Sequence, residues 1–255
     1  MTILYKICFR EERDDEWSPP NRPIVNNITD IVTTCLISLL KQMTKKDNII
    51  FFLDGDDADN IIERLCTEFN INYKILQFDH KCPVKINNEC TLYIINNVTN
   101  ENDLIYLCED DYLHYNNCLI YIKDFLSQYP NYFCHPVDYP NLYKPDNYSP
   151  TDIILSESFP IGVRKWHWRS INSTTYTIAF TKKMFDKNYS IFTNINQTAF
   201  YDHIINLMYV SDKCYSPVPS LATHVEENCL SPCIDNNKIF QNNLEEFRSL
   251  GIKVD

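Results

Sequence analysis

Apolar residues run through the first half of the chain in two alternating rhythms. Residues 3 to 10 open as a β-rich stretch, and residues 27 to 43 space Ile28, Ile31, Val32, Cys35, Leu36, Leu39 and Leu40 as one face of a helix. Residues 49 to 53 form an unbroken apolar run ended by Asp54 and Gly55, as expected of a strand buried on both faces. A second amphipathic stretch at 59 to 69 (Ile61, Ile62, Leu65, Phe69) leads to a strand at 73 to 78. Leu92, Ile95 and Val98 give residues 88 to 98 a helical reading, residues 105 to 108 a fourth strand, and 117 to 129 a helix with Leu119, Ile122, Phe125 and Leu126 on one side. Strands alternating with helices predict an α/β fold on a mainly parallel sheet.

The second half is punctuated by Pro130, Pro136, Pro140, Pro145 and Pro150, which require extended or turning chain. Two β-like stretches follow at 163 to 170 and 174 to 181, then a helix at 198 to 209, a loop-rich part at 216 to 240 and a short helix at 244 to 250. No internal repeat or second core interrupts this order, so one domain over residues 1 to 255 is expected.

Composition narrows the function classes. With 255 residues and 44% apolar content the chain can bury a substantial core. A net charge of -11 and the lack of a basic block exclude a nucleic-acid partner, which needs a positive face. No apolar run approaches a membrane span, and Glu11, Glu12, Asp14 and Asp15 stand where a signal peptide would stay apolar, so a cytoplasmic location is expected, the host's cytoplasm if the source is viral. The eleven cysteines show no framework spacing and read as small buried thiols. Cys229 and Cys233, with His224 nearby, lack the second ligand pair of a structural zinc site.

Chemistry concentrates after the fourth strand, where Glu109, Asp110 and Asp111 follow one another. Each carboxylate raises the cost of ionising the next, so the group is either a solvated turn or the seat of a cation. Ligands of open α/β sheets bind beyond the carboxyl ends of strands, which is where these acids fall. Oxygen ligands suit Mn²⁺ or Mg²⁺, with a diphosphate completing the shell. Alternation along an extended chain would send Glu109 and Asp111 to one side and Asp110 to the other, making one of the outer pair the direct ligand.

IYLCEDDYLH, containing these acids, resembles the DxD-type metal motif of GT-A glycosyltransferases. YKICFR, IIFFLDG, CHPVDYPNLY, WHWRSINSTTYTIAF and SLATHVEENCLSP are similar, in this order, to blocks of viral (giant-virus and phage) and bacterial glycosyltransferases of that fold. The resemblance implies a GT-A-like single domain with a Rossmann-like mixed, mostly parallel sheet flanked by helices. Residues 1 to 115 would bind the nucleotide sugar, and residues 116 to 255 the acceptor and the C-terminal closure. It implies a hexosyl- or deoxyhexosyltransferase that moves sugar, with inversion, from a UDP-, GDP- or dTDP-linked donor to a hydroxyl of a glycan or other acceptor, using Mn²⁺ or Mg²⁺.

Roles follow position by position from the resemblance. Arg10 and Asp54 would hold the nucleoside, Asp111 and His224 the metal, and Glu109 and Asp110 the donor. Asp202 would be the catalytic base, with Asp138, Asp152 and Glu157 as competitors. Trp166, His167, Trp168, Arg169 and Asp138 would face acceptor or sugar, although two tryptophans on one strand face serve a core equally well. The chain departs from the pattern at Asp235, which is followed by Asn236 and Asn237 instead of an aromatic. A metal-dependent phosphohydrolase using the same acids, or a catalytically silent carbohydrate-binding protein of the same fold, are the alternatives; a two-metal hydrolase would need a second acidic cluster.

Overall fold

The computed structural model describes residues 1–9, 22–24, 27–140, 161–163, 166–194 and 201–251, and the side chains of all these except 161–163 and 201–203. The described elements are β1 (Thr2–Ile7), α1 (Ile28–Leu40), β2 (Asn48–Asp54), α2 (Ile61–Glu68), β3 (Tyr73–Phe78), α3 (Pro83–Asn97), β4 (Leu104–Cys108), β5 (Tyr112–His114), α4 (Cys118–Gln128) and β6 (Phe133–Cys134). There follow β7 (Ile161–Val163), β8 (Trp166–Ile171), β9 (Ile178–Thr181), α5 (Lys182–Lys187), α6 (Tyr189–Asn194), α7 (Tyr201–Asn206), α8 (Met208–Ser211), β10 (Cys214–Val218), β11 (Ala222–His224) and α9 (Asn236–Ser249).

Nine strands form one sheet in the order β3-β2-β1-β4-β9-β6-β10-β8-β7, while β5 and β11 pair separately. The first four lie parallel; β9 and β8 run against the other strands. The apolar runs of β1, β2 and β4 are continuous because these strands are covered on both sides, whereas the edge strand β3 is largely exposed. Ile3, Tyr5, Ile49, Phe51, Tyr106 and Cys108 point into one core, with α1, α2, α4 and α9. Their neighbours Leu4, Ile50, Phe52, Ile105 and Leu107 point into the other, with α3, α5 and α6. The period of two along each strand thus builds three layers from one sheet.

Local chemistry sets several boundaries. Asn27 caps α1 through the Asp30 N–H (3.0 Å), and both Asp57 oxygens accept from the first turn of α2, at Ile61 and Ile62 (2.8 and 2.9 Å). Helix α3 begins at Pro83, five residues before the predicted start, because proline fits the first helical position, which needs no N–H. Helix α9 begins at Asn236 instead of 244, capped by Asp235 accepting the Lys238 N–H (3.0 Å). The predicted strand at 174 to 181 shortens to Ile178–Thr181, and the predicted helix at 198 to 209 is broken into α7 and α8.

Asp47, in the turn that feeds β2, ties that turn to α4. Its carboxylate is 1% exposed, accepts from the Thr44 N–H (2.9 Å) and hydroxyl (2.8 Å), and lies 2.6 Å from Lys123 Nζ. Burial acts to raise its pKa, but the Lys123 and Thr44 donors outweigh it and hold the carboxyl below its ordinary value. A depressed folded-state pKa stabilises above the unfolded pKa and loses that contribution as the pH falls through the folded one. Asp47→Ala should therefore cost about 1–3 kcal/mol at neutral pH. In thermal melts its deficit against the parent should shrink below about pH 4.

Candidate active site

Parallel pairing sets Tyr5 of β1 beside Cys108 of β4, so the segments leaving both strands meet at their carboxyl ends. There the three acids separate. Glu109 lies 3.0 Å from Lys6 Nζ, which also donates to Asn87 Oδ1 (2.6 Å) and sits 4.3 Å from the Tyr176 ring centroid. The Glu109 N–H donates to Thr177 Oγ1 (3.2 Å). Asp110 turns back toward β1, where its Oδ2 accepts the Cys8 N–H at 2.7 Å. Asp111 faces two cations: Arg22 Nη1 at 2.9 Å and His224 Nε2 at 3.1 Å.

Strand alternation predicted Glu109 and Asp111 on one side, yet the partners described for them differ: Lys6 and Thr177 for Glu109, Arg22 and His224 for Asp111. The strand ends at Cys108, and residues 110 and 111 lie in a turn, where a period of two no longer applies.

The small β5–β11 sheet explains why His224 reaches Asp111. Its antiparallel register places His224 opposite Tyr112, and the Val225 N–H donates to the Asp111 carbonyl (2.9 Å). The imidazole stacks on Tyr112 at 4.7 Å with a 9° interplanar angle. Arg22 is fixed by a second bond, Nη1 to the Val225 carbonyl (2.9 Å). Burial alone would raise the Asp111 carboxyl and lower the His224 imidazole. Their mutual attraction, with Arg22 acting on Asp111, reverses both effects, holding Asp111 far below its ordinary value and His224 well above.

Behind them, His135 Nδ1–H donates to the Thr177 carbonyl (2.6 Å), and its ring stacks on Tyr139 at 5.3 Å. Burial pushes His135 down to about 4, which keeps it neutral near pH 7. The ring supports the backbone beneath Glu109 without adding charge.

The remaining predicted residues divide. Asp54, 7% exposed, accepts the His80 N–H (2.8 Å) and Lys81 N–H (3.2 Å), holding the loop that follows β3 against the end of β2. Trp168 is fully buried and stacks on Phe125 at 4.3 Å, so it belongs to the core and offers no face to a sugar. Trp166 is partly exposed and stacks on Tyr121 at 4.8 Å, while His167 is exposed. Arg169 and Asp138 form an ion pair with the Asp138 carboxylate buried. The Asp138 N–H donates to Ser220 Oγ (2.8 Å). Arg10, Asp152 and Glu157 lie outside the described residues, and Asp202 lies in α7 with its side chain likewise outside them.

Lys6, Arg22 and Glu226 were not singled out from the sequence. Glu226 Oε2 lies 3.3 Å from His224 Nε2, beside Asp111 Oδ2. Arg22 is 89 residues from Asp111 and carries no motif; Lys6, a lone basic residue within an apolar strand, was the one local signal.

These distances permit a divalent ion. Adjacent ligands of an octahedral ion with bonds of about 2.1 Å lie roughly 3 Å apart. Asp111 Oδ2 and His224 Nε2 have that spacing, at 3.1 Å, and would hold the ion.

No known protein family and no curated protein matches the chain. Solved structures do. The chain is similar to S. aureus TarS with a TM-score of 0.51 and 13% identity, over 84% of this chain and 34% of TarS. It also aligns with TarS 1-349 in complex with UDP, at a TM-score of 0.53 and 12% identity, over 100% of this chain and 66% of the other. For the UDP-GlcNAc complex the TM-score and identity are again 0.53 and 12%, over 98% and 71%. The fold is GT-A-like. The chain spans about a third of TarS and about two thirds of its 1-349 segment. At such identity the GT-A-like likeness concerns the fold, and the chemistry must come from the residues described above.

Proposed function

We propose that the chain transfers a sugar from a nucleotide-diphosphate sugar to a hydroxyl acceptor on a glycan or glycoconjugate, with inversion and with Mn²⁺ or Mg²⁺. The observation that carries this reading is the position of Asp111, between Arg22 and His224 at the carboxyl end of β4 in a GT-A-like sheet. TarS is solved with UDP and with UDP-GlcNAc, which favours a uridine donor among the nucleotides considered.

Asp111 and His224 would hold the cation, which supplies charge to neutralise a leaving diphosphate. Arg22 brings a planar fork of donors suited to phosphate oxygens next to that position. Lys6 fixes Glu109 through its ion pair, keeping the donor side of the turn rigid. Asp54, at the end of the second strand, is assigned to the nucleoside, and so is Arg10. Asp202 is the proposed base, accepting the acceptor hydroxyl proton as its oxygen attacks the anomeric carbon. Trp166, His167 and the Arg169–Asp138 pair are assigned to the acceptor side. No helix among the described residues is long and apolar enough to cross a membrane, and we assign the protein to the cytoplasm.

A transferase leaks slowly to water, so the test is release of free sugar from UDP-, GDP- and dTDP-sugars without added acceptor. Mn²⁺-dependent appearance of sugar and intact nucleoside diphosphate is expected from one nucleotide class. Release of inorganic phosphate or nucleoside monophosphate would favour the phosphohydrolase reading instead, and no turnover with any donor would remove the transferase reading.

A further inference from the structure

The ligand atoms of His224, Glu226 and Cys229 all lie within 4.8 Å of one another. The segment that carries them is tightly folded: the Cys229 N–H donates to the Glu226 carbonyl (3.1 Å), with Asn228 between them at φ 65°. Cys233, the other thiol of this region, is exposed and outside the group. The ligand that the sequence lacked for a metal site is thus a carboxylate, not another cysteine.

A second observation concerns the imidazole. His224 is 8% exposed, and its Nδ1 is buried with no hydrogen-bond partner among the described residues. Its Nε2 faces two carboxylates, Asp111 at 3.1 Å and Glu226 at 3.3 Å, and Arg22 holds Asp111 in place. A ring whose one nitrogen is tied to a carboxylate and whose other is buried and unsatisfied matches a metal-ligating histidine with its supporting carboxylate.

We propose that His224, Glu226 and Cys229 form a thiolate-bearing site for a borderline divalent ion, Zn²⁺ or Co²⁺, bound through Cys229 Sγ. Imidazole, carboxylate and thiolate are the ligand types of zinc sites that keep an open fourth position. Ligand atoms on a tetrahedral ion lie roughly 3.3–3.9 Å apart, so closing the set requires movement of about an ångström. Charge balances: the Glu226 carboxylate and Cys229 thiolate offset the ion, while Arg22 offsets Asp111. Coordination sends the Cys229 Sγ proton and the proton on the ligating His224 nitrogen to solvent. Zn²⁺ binds such nitrogen and sulfur donors more tightly than Mn²⁺. The inference rests on the same histidine as the transferase reading, and an ion bound here takes His224 away from the proposed catalytic cation.

Titration of the full chain with Co²⁺ tests this directly. A near-ultraviolet thiolate-to-cobalt charge-transfer band is expected, reversed by Zn²⁺, lost in Cys229→Ser and kept in Cys233→Ser. Competition with a metal indicator should show Zn²⁺ binding weakened about a hundredfold in Cys229→Ser and at least tenfold in Glu226→Gln. Far-UV circular dichroism establishes that each variant is folded. No band in the parent chain, or a band that survives in Cys229→Ser, overturns the site. Mn²⁺-dependent release of nucleoside diphosphate from a nucleotide sugar, measured on Cys229→Ser, is the separate readout. Its absence in the parent as well removes the transferase reading and leaves the cobalt result standing.

Discussion

Asp111→Asn is expected to abolish Mn²⁺-dependent nucleotide-sugar binding while leaving the fold intact. The substitution keeps the side chain's volume but removes the charge that Arg22 and His224 face at 2.9 and 3.1 Å. An incoming cation then loses its carboxylate ligand and meets the Arg22 guanidinium with no charge to offset it, which weakens the site. Removing one member of a buried charged pair costs about 2–5 kcal/mol, or roughly a 30- to 5,000-fold loss in affinity. Some stability should be lost too, because Arg22 stays largely buried without its partner. Asp47→Ala separates the two effects, since it weakens the fold far from the site and should bind donor as the parent does. Isothermal titration of donor with Mn²⁺, at a temperature where both variants are folded, reads the difference. Unchanged donor affinity in Asp111→Asn would remove this residue from the site.

Asp202→Asn should act differently, keeping donor affinity and losing transfer. A general base contributes about a hundred- to ten-thousandfold to rate, and an amide cannot take up the acceptor proton. Asp202 lies in the first turn of α7, where an acid also has a plain structural role facing the helix dipole. That role predicts a loss of a few tenths of a kcal/mol and normal turnover. Single-turnover kinetics beside a donor titration therefore distinguish base from helix acid. Retained turnover in Asp202→Asn would move the base elsewhere, with Asp152 and Glu157 next in line. Asp138 is a poorer candidate because Arg169 already claims its carboxylate.

The parallel half of the sheet was legible because β1, β2 and β4 are buried on both faces, leaving unbroken apolar runs between amphipathic helices. The β5–β11 pair was not. Each strand has three residues, too short for any period to register, and they pair across more than a hundred positions. The start of α9 was hidden by Asn236 and Asn243, polar residues that are buried and made the segment read as loop.

Within the site, the acids were visible from their place after a strand, but their partners were not. Arg22 and His224 reach Asp111 from 89 and 113 residues away, and a local pattern cannot report such a meeting. The tryptophans illustrate the reverse case. Trp166 and Trp168 read alike in sequence, yet Trp168 packs on Phe125 while Trp166 keeps partial exposure beside Tyr121. Which aromatic faces solvent depends on what covers the strand, and α4 supplies that cover.

The most direct test of the proposed chemistry is a thermal-shift screen of the full chain with UDP-, GDP- and dTDP-sugars, each with and without Mn²⁺. Ligand that binds the native state raises the apparent melting temperature. One nucleotide class, with UDP expected, should raise it only when Mn²⁺ is present, and Asp111→Asn should lose that rise. A shift that persists with chelator and in Asp111→Asn, or no shift with any donor, would contradict the assignment of Asp111 and His224 to a cation-bound diphosphate.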